Sequence, residues 1–511
     1  MAVNRLIEPQ LEIGDIQGDI LVGLQKDFEW FVFFEIAKVP EFKKFMTALL
    51  PLITTTTIAL EREDAITALK ATGSTDRLHL LGINIGFSMP GLTKLGLPNV
   101  NTITDPSFKA GLAARSASLN DATTGPNSPP NWKVGGPANT PDGVLLITGP
   151  TQSAVDTLLG EVKAIAGTSW TIIHPEMLGK TRAADRGHEH FGFLDGVSQP
   201  GVRGRIDHAF SGKMFLQDSQ NPNDPDQGLP GADLLWPGEF VFGYAGQDAT
   251  DADTPSAPVS GGPNWMKNGA FMVFRRLNQF VPEFNHFVET TAAGFGTTAD
   301  IIGARMVGRW KSGAPAIVSP LQDDPLLGND ELHNNDFDFD GDPEGRKCPF
   351  AAHIRKAYPR NDVTPAGLGK PTDFDRREAS EADTETHRIM RRGIPFGDEV
   401  TDNEQRNETT ANERGLMFVC YQTSIVEQFE FLTHNWVNNP AFAPAGSNPG
   451  FDPLLGQDPA HAPRPVKGLD VIYPKGPLGG TTTLPIDFIR PTGGGYFFVP
   501  SISTIKNHIA A

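Results

Sequence analysis

Cysteine is almost absent from this 511-residue sequence, which contains only Cys348 and Cys420. Two cysteines allow one disulfide bridge at most, so a fold held together by several disulfides is excluded, and whether these two are bridged stays open. No Cys-x-x-Cys pair occurs. A cysteine-rich zinc site and a covalently attached c-type haem are therefore excluded as well.

Long apolar runs are also missing. No stretch of about 18 apolar residues is present, so we expect no membrane-spanning helix. The N-terminus MAVNRLIEPQLEIGD has neither the basic start nor the apolar stretch of a secretory signal peptide. We therefore expect that the chain either is not secreted or is a mature form with an added methionine.

Positive charge is scarce, because 43 Lys and Arg face 61 Asp and Glu, which gives a formal net charge of −18. A surface of this sign repels a phosphate backbone, so nucleic-acid binding is disfavoured. Nucleotide enzymes are disfavoured too, since neither a GxGxxG motif nor a Walker loop occurs.

Glycine and proline are abundant, with 54 and 43 residues. This composition predicts many turns and argues against an all-helical bundle. Four stretches rich in Pro, Gly and Asp are predicted to be surface loops: residues 120–142, 217–231, 248–263 and 320–345.

One short pattern occurs twice. FVFF at 31–34 precedes VPEFKKF at 39–45, and FMVF at 271–274 precedes VPEFNHF at 281–287. Each copy predicts a buried strand, a turn, and a helix that begins at a proline and carries two phenylalanines on one face. Chance matching of a short pattern is the alternative. Because 242 residues separate the copies, we expect two related halves, each with its own sheet.

Other segments alternate strands with helices. Polar and apolar residues alternate at the strand edges, which favours antiparallel α+β halves over a doubly wound parallel sheet. The patterns predict strands at residues 80–87, 143–148 and 416–421 and helices at residues 90–95, 153–166 and 425–432.

An aspartate between two glycines is the first candidate for chemistry. Asp195 belongs to GFLDG at residues 192–196, which follows RGHEH at residues 186–190. An aspartate in such a tight turn often serves only to stabilise the turn. The alternative is a partly buried general acid or base that faces a cavity.

Two further motifs carry a histidine and a pair of arginines. His353 lies in CPFAAHIRKAYPR at residues 348–360, and Arg391 and Arg392 begin RRGIPFG at residues 391–397. A lone histidine is usually structural, and the functional alternative is an axial ligand of iron. A pair of arginines usually has one solvated and one paired member. The alternative is a pocket arginine that stabilises developing negative charge without titrating.

Taken together, these motifs resemble those of the dye-decolorizing peroxidases, a haem peroxidase family whose hallmark is GxxDG. QGDIL at residues 17–21 resembles the family's opening strand, and residues 192–196 resemble the hallmark. Residues 348–360 resemble the proximal-histidine segment, 391–397 the distal-arginine turn, and 416–421 the strand over the distal pocket. The resemblance covers most of the chain and is greatest to the long fungal-type members.

The resemblance implies an α+β fold of two ferredoxin-like halves with antiparallel sheets, of the dimeric α+β barrel type. Residues 1–235 would form the N-terminal half, which carries the distal aspartate. Residues 236–511 would form the C-terminal half, which carries the proximal histidine and the distal arginine.

The resemblance also implies roles for the residues of the motifs. His353 would be the proximal iron ligand of one non-covalent haem b, and Asp452 the carboxylate that hydrogen-bonds this histidine. Asp195 would be the distal acid/base. Arg391 would be the distal arginine that stabilises charge, with Arg392 as the second choice.

Further positions would serve the cofactor and the substrates. Arg360 is implied as a partner of a haem propionate, and Leu416 and Phe418 as residues that shape the peroxide channel.

Bulky donors cannot enter such a channel and need an oxidisable residue at the surface. The chain has seven Trp and five Tyr that could serve, against 33 Phe that are not easily oxidised. Trp436 in the polar setting THNW resembles such a surface electron-transfer site, and packing at a helix end is the alternative. Phe396 stands where some relatives have Tyr, so a radical site there is absent.

The implied activity is that of a secreted enzyme which uses hydrogen peroxide to oxidise bulky dyes and phenolic or lignin-related aromatics in one-electron steps. A haem-binding or haem-handling protein with little turnover is the alternative. A non-haem α+β binding module, with these motifs as structural turns, is the third hypothesis.

An acidic stretch stands apart from these motifs. Between Asp323 and Glu344, both included, lie nine acidic residues and no Lys or Arg. DFDFDG at residues 336–341 begins like a calcium-binding EF-hand loop, but position twelve is Lys347 rather than Glu, so the motif fails. A solvated loop is the ordinary interpretation, and a site for Mn²⁺ as a substrate cation is the alternative.

Overall fold

A computed structural model of the chain describes residues 9–74, 77–174, 177–204, 230–442, 447–458, 463–470 and 480–511. The strands within these ranges are β1 (Phe28–Ile36), β2 (Gly82–Phe87), β3 (Gly143–Gly149), β4 (Trp170–Ile172), β5 (Met177–Lys180), β6 (Gly201–Val202), β7 (Leu234–Leu235), β8 (Ala245–Asp248), β9 (Asp251–Pro258), β10 (Ala270–Gln279), β11 (Met390–Arg391), β12 (Ile394–Phe396), β13 (Gly415–Gln422), β14 (Arg464–Lys467), β15 (Thr481–Leu484) and β16 (Ile489–Val499).

The helices surround these strands and are mostly short. They are α1 (Gly18–Leu21), α2 (Val39–Leu49), α3 (Thr56–Ala71), α4 (Met89–Leu95), α5 (Pro106–Ala110), α6 (Leu112–Arg115), α7 (Gln152–Ala166), α8 (Val281–Phe295), α9 (Ala299–Val307), α10 (Pro325–Gly328), α11 (His353–Ala357), α12 (Asp373–Glu385), α13 (Asp402–Asn407) and α14 (Ile502–Thr504). Ile425–Glu430, Leu432–Val437 and Ile505–Ile509 are π-helical. No helix in the described ranges has the length and apolarity needed to cross a bilayer.

Ten of the described strands form one antiparallel sheet that contains both halves of the chain. The order is β4-β1-β3-β2 in the N-terminal half and β16-β10-β13-β11 in the C-terminal half, with β5 beside β1 and β12 beside β13. If the strands of each half-sheet are numbered one to four along the chain, both halves have the spatial order 4-1-3-2. This is the order of a ferredoxin-like unit. The halves join where Phe498 of β16 pairs with Phe87 of β2.

The repeated phenylalanine pattern explains how the halves pack. The rings of Phe31 and Phe33 in β1 each lie 5.0 Å from the ring of Phe274 in β10. Phe34 faces the other way and meets Phe42 of α2 at 5.5 Å. Alternate residues of one strand thus fill two cores, one shared between the half-sheets and one under the helices. The predicted α+β fold of the dimeric α+β barrel type is confirmed.

The helices of the repeat also begin as predicted. Pro40 lies in the first turn of α2 and Pro282 in the first turn of α8, where a missing backbone N–H costs nothing. The predicted strands at 80–87, 143–148 and 416–421 correspond to β2, β3 and β13, and the helices at 90–95 and 153–166 to α4 and α7. The helix predicted at 425–432 is π-helical over most of its length.

Two predictions about local structure were wrong. Residues 17–21 form no opening strand, because Gly18–Leu21 is the helix α1 and Gln17 is its N-cap residue. The Asp19 carboxylate in α1 accepts hydrogen bonds from the Tyr421 hydroxyl at 2.6 Å and from the Leu24 N–H at 3.0 Å. The bond to Tyr421 attaches the helix to β13.

The stretch 248–263, predicted as a loop, contains the strand β9. In the described part of the chain, β9 pairs only with β8 and forms a two-stranded ribbon, where prolines are tolerated. Most of the loop predicted at 217–231 lies outside the described residues.

Candidate active site

A histidine and a buried aspartate form the first part of the site. His353 is the first residue of α11, and its Nδ1 lies 2.7 Å from Oδ2 of Asp452. Asp452 is fully buried, and its Oδ1 accepts the backbone N–H groups of Leu454 at 2.8 Å and Leu455 at 2.9 Å. With both carboxylate oxygens engaged, Asp452 holds the imidazole ring in one orientation.

Each member of this pair stabilises charge on the other. Burial by itself would lower the pKa of His353, but the Asp452 carboxylate outweighs it and raises that pKa above its ordinary value. Burial by itself would raise the pKa of Asp452, but His353 and the amides of Leu455 and Leu454 outweigh it and lower that pKa. Asp452 is therefore an anion that accepts the Nδ1 proton, so in the neutral ring the lone pair lies on Nε2.

Part of the His353 side chain is accessible. The residue lies inside the molecule, yet 25% of its side-chain surface is accessible. Within the described ranges, Nδ1 is the only ring nitrogen of His353 with a hydrogen-bond partner. A neutral imidazole with a carboxylate on Nδ1 and an open Nε2 is the arrangement of an axial metal ligand.

Asp195 occupies a turn that needs both glycines of its motif. Gly192 has φ +92° and Gly196 has φ +82°, in the left-handed region that favours glycine. The backbone N–H of Asp195 donates to Gly187 O at 3.0 Å, which ties the turn to the preceding segment. Among the described residues, Oδ2 of Asp195 has no hydrogen-bond donor, while Oδ1 accepts the Gly196 N–H at 2.7 Å.

Arg391 reaches this aspartate from β11. Its Nη1 lies 3.1 Å from Oδ1 of Asp195, and its Nη2 donates to Ser198 O at 2.8 Å. The Gln199 side chain accepts the Arg391 N–H at 3.2 Å and donates to the Arg391 carbonyl at 2.9 Å. The residues that follow the GFLDG turn thus hold Arg391 by both its backbone and its guanidinium.

The neighbouring Arg392 points elsewhere. Its Nε donates to Asp19 O at 2.9 Å, and its own carbonyl accepts Lys26 Nζ at 2.8 Å. Arg392 is therefore held beside α1, whereas Arg391 pairs with Asp195.

The distal and proximal groups belong to one site. About a third of each distal side chain is accessible, 37% for Asp195 and 32% for Arg391. Their charges act on His353, with Arg391 lowering and Asp195 raising its pKa. The three side chains therefore interact electrostatically, and their action on one ligand stays a prediction.

Two residues of β13 share the face on which Arg391 lies. Arg391 pairs with Cys420 across the β11–β13 ladder, and directly paired residues lie on the same face. Phe418 and Leu416 lie two and four residues before Cys420, and both are half-buried. The predicted channel residues thus lie beside the distal arginine, and their role in admitting peroxide stays a prediction.

Arg360 is held by protein oxygens. Its guanidinium donates to Phe337 O at 2.6 Å, Gly231 O at 3.1 Å and Asn335 Oδ1 at 2.8 Å, and it lies 3.9 Å from the centre of the Phe337 ring. These contacts make Arg360 a structural link between loops. Its predicted contact with a propionate stays a prediction.

The expectation that Trp436 is exposed was wrong. Only 2% of the residue is accessible, and its ring stacks on Phe442 at 5.1 Å and meets Phe431 and His387 edge-on. The polar residues next to Trp436 suggested an exposed position. Leu432–Val437 is π-helical, however, and the wider turn of a π-helix changes which residues face inward. His434, two positions earlier, is exposed instead.

The acidic stretch gives no support to a manganese site. The described part of the chain contains no group of three or more His, Cys, Asp or Glu side chains that could hold a metal ion. Asp342 is buried against Arg355 at 2.9 Å, and Asp340 pairs with Arg377. These carboxylates are used to anchor the loop.

The two cysteines are free and buried, which answers the question of a bridge. Burial raises the pKa of Cys348 to about 12 and that of Cys420 well above its ordinary value. Both thiols are therefore unreactive core residues.

Sequence reasoning missed two supporting side chains. The carboxylate of Glu189 accepts the backbone N–H groups of Phe191 at 2.8 Å and Phe193 at 2.9 Å, and thereby shapes the start of the GFLDG turn. Gln199 clamps the backbone of Arg391, as described above. The only signal for either residue was its proximity to GFLDG, and no spacing pattern singled it out.

These residues fit a haem. The donor set is an imidazole with an open Nε2, a carboxylate behind it, and an aspartate–arginine pair beside the half-buried apolar face of β13. Iron porphyrins bind such an imidazole in peroxidases, and the apolar face suits the porphyrin ring. The fold and the site therefore define the class, a dimeric α+β barrel with the residues of a haem peroxidase.

The comparisons with known proteins agree with this class. The family model of the DyP dimeric alpha+beta barrel domain matches residues 15–183, and that of the Dyp-type peroxidase, C-terminal, matches residues 322–442. The dye-decolorizing peroxidase of Mycena epipterygia is 37% identical over 100% of this chain and 89% of the relative. The chain belongs to the dye-decolorizing peroxidase family and is a peroxidase, an oxidoreductase.

Solved structures show the same relationship. The structure of an ancestral D-type dye decolorizing peroxidase has a TM-score of 0.81 and 38% identity over 98% of this chain and 100% of the other. A dye-decolorizing peroxidase in complex with 2,6-dimethoxyphenol has a TM-score of 0.75 and 34% identity over the same shares. Neither family match reaches residue 235, so the predicted boundary between residues 1–235 and 236–511 stays a prediction.

Proposed function

We propose that the protein is a haem b peroxidase that uses hydrogen peroxide to oxidise dyes and phenols in one-electron steps. The observation that supports this most directly is the Arg391–Asp195 pair, whose two charges act on His353 with its open Nε2. The relative solved with 2,6-dimethoxyphenol supports phenols as donors. Family membership also supports secretion and lignin-related aromatics as donors.

His353 would hold the haem through its Nε2. When bound, the haem supplies the redox centre at which peroxide is reduced and donors are oxidised. Asp452 keeps the Nδ1 proton in place, and its negative charge makes the imidazole a stronger electron donor to iron. Both effects depend on the two amide hydrogen bonds that fix the Asp452 carboxylate.

Asp195 would move the proton. Its Oδ2, with no donor among the described residues, can accept a proton from hydrogen peroxide and return it to the oxygen that leaves as water. Arg391 stays charged throughout and stabilises the negative charge that develops as the O–O bond breaks.

A turnover assay tests the proposal against the haem-handling alternative. The haem-loaded protein should show a Soret band and should decolorise an anthraquinone dye with hydrogen peroxide over many turnovers at acid pH. The Asp195→Asn variant is the matched control, because it keeps the size of the side chain but cannot accept the proton. A Soret band with no dye turnover would support haem handling instead, and absence of the band would support a non-haem module.

A further inference from the structure

A buried lysine lies in the same helix as His353, which together with Asp452 we call the proximal pair. Lys356 follows His353 by three residues in α11, and only 1% of its surface is accessible. Lysine is rarely buried completely, because its ammonium group loses water and needs other hydrogen-bond acceptors instead. The acceptors of Lys356 therefore show what this residue does in the fold.

These acceptors are two backbone carbonyl groups. Nζ of Lys356 donates to Asn439 O at 2.6 Å and to Phe442 O at 2.7 Å. Both carbonyls follow the π-helical segment Leu432–Val437, and a positive charge is favourable at the C-terminal end of a helix. We call residues 437–442 the bridging turn.

The bridging turn also holds the segment that carries Asp452. The backbone N–H of Asp452 donates to Val437 O at 3.1 Å, and the N–H of Gly450 donates to Pro440 O at 3.0 Å. The turn therefore contacts Lys356 through one set of carbonyls and the backbone around Asp452 through another. Through this turn, α11 is connected to the carboxylate of the proximal pair.

The charge of Lys356 also balances that of Asp452. Burial lowers the pKa of Lys356 to about 7, and the negative charge of Asp452 opposes this decrease. Arg464 also interacts electrostatically with Asp452, but its guanidinium pairs with Asp487 at 3.0 Å. Among the described residues, Lys356 has no carboxylate partner of its own. A buried anion is costly unless a positive charge compensates it, and the ammonium group of Lys356 provides this charge in acid.

We propose that Lys356 is a positioning residue of the proximal pair. Its ammonium group binds the bridging turn to α11 and so keeps the Asp452 carboxylate in hydrogen-bond contact with Nδ1 of His353. The role rests on the proposed function, in which His353 holds the haem. If the turn is released, the N–H of Asp452 loses a fixed acceptor and the hydrogen bond to Nδ1 weakens. The imidazole then becomes a weaker electron donor to iron.

A spectroscopic comparison of variants tests this role. Lys356→Met keeps an unbranched side chain but has no donor for the two carbonyls. The iron–histidine stretching frequency is measured by resonance Raman spectroscopy on the reduced, haem-loaded protein. It should shift downward in Lys356→Met, in the same direction as in Asp452→Asn, because it rises with the electron density that the hydrogen bond at Nδ1 gives to the imidazole. Lys356→Arg can still donate to both carbonyls and should keep the wild-type frequency.

Lys26→Met is the matched control. Lys26 is also largely buried and donates to a backbone carbonyl, Arg392 O at 2.8 Å, but its contacts among the described residues do not include the proximal pair. Its removal should leave the iron–histidine frequency unchanged. Equal shifts in the two methionine variants would indicate a general loosening of the fold and would overturn the proposal. An unchanged frequency in Lys356→Met would also overturn it.

Haem retention is the second measurement. Residues that support a metal ligand typically change metal affinity 10–100-fold, so Lys356→Met should transfer haem to excess apomyoglobin about tenfold faster than wild type, and Lys26→Met within about twofold of wild type. If Lys356→Met does not fold, Lys356→Gln takes its place, because it loses the charge but keeps an amide donor, and both readouts should change in the same direction. A transfer rate equal to that of wild type contradicts the positioning role. Absence of the iron–histidine band from the wild type would overturn the proposed function itself, whereas the other outcomes leave that function intact.

Discussion

The two ring nitrogens of His353 have different surroundings, and this difference determines what its removal should do. Nδ1 is held by Asp452, and only Nε2 is open to a ligand. A five-coordinate haem has a single bond to the protein, so His353→Ala should leave little or no tightly bound haem. The ratio of Soret to protein absorbance after gel filtration measures this. Full occupancy with an unchanged spectrum contradicts the assignment of His353 as the proximal ligand.

The distal residues allow a second comparison at the same scale. Asp195→Asn should slow the reaction with hydrogen peroxide at acid pH by about 10²–10⁴-fold, the usual contribution of a positioned base. If the Arg391 guanidinium acts like the hydrogen-bond donor of an oxyanion hole, Arg391→Leu should remove roughly 3–4 kcal/mol of transition-state stabilisation. Stopped-flow mixing with peroxide measures both rates.

Arg392→Leu is the matched control for Arg391→Leu. Arg392 donates to Asp19 O and does not touch Asp195, so the peroxide reaction should be nearly unchanged. If Asp195→Asn reacts as fast as wild type while Arg391→Leu does not, arginine alone is the distal catalyst. If Arg392→Leu is the slow variant, the distal arginine has been misassigned.

At the scale of elements, the GFLDG turn depends on left-handed backbone at Gly196. A Cβ at Gly196 would meet nothing within 4 Å, so Gly196→Ala tests the backbone alone. With φ at +82°, the variant should lose about 1–2 kcal/mol of unfolding free energy. The peroxide reaction should also slow, since the turn positions Asp195.

The control for this prediction is the same substitution in a helix. Gly160 lies inside α7, and a Cβ there also meets nothing within 4 Å. Gly160→Ala should therefore stabilise the protein by about 0.5–1 kcal/mol, because alanine restricts the unfolded chain and suits the helix. Urea unfolding measures the change in unfolding free energy of each variant. If both substitutions change the free energy in the same direction, this account of the turn is wrong.

At the scale of the whole molecule, the shared core joins the two halves. Phe274 is fully buried against Phe31 and Phe33 of the other half. Phe274→Ala should lower the free energy of unfolding by about 3–5 kcal/mol. Phe374→Ala is the control, since Phe374 is 71% exposed and its loss should change stability by less than about 0.5 kcal/mol.

The pH dependence of stability is a second property of the whole molecule. Burial raises the pKa of Glu239 from its ordinary 4.5 to about 7. Among the described residues, its side chain accepts the Gln247 N–H and has no cation beside it. Between these two values the folded state keeps a proton that the unfolded state has lost. Glu239 therefore makes the protein less stable as pH rises from about 4.5 to 7, by up to about 3 kcal/mol.

Glu239→Gln tests the sign of this effect. The amide cannot ionise, so the variant should lose less stability than wild type as pH rises through this range. Urea unfolding at pH values from about 4.5 to 8 measures both slopes. A wild type that becomes more stable as pH rises, or a variant with the same slope, contradicts the assignment to Glu239.

The sequence by itself determined the fold class and most of the candidate site. The phenylalanine pattern was readable because alternate residues of a strand face opposite sides, so each copy predicted a buried strand followed by a helix. Such patterns are local, and their physical causes act within a few residues. The family resemblance brought His353, Asp195 and Arg391 into one hypothesis.

Only the tertiary structure decided the rest. The resemblance preferred Arg391 to Arg392, but only the structure shows that Arg391 reaches Asp195 while Arg392 reaches Asp19. The burial of Trp436 follows from a π-helical turn and from Phe442, and the hydrogen bond of Gln199 to Arg391 joins residues 192 positions apart. Such contacts depend on which distant segments meet, and local residue preferences carry no information about that meeting.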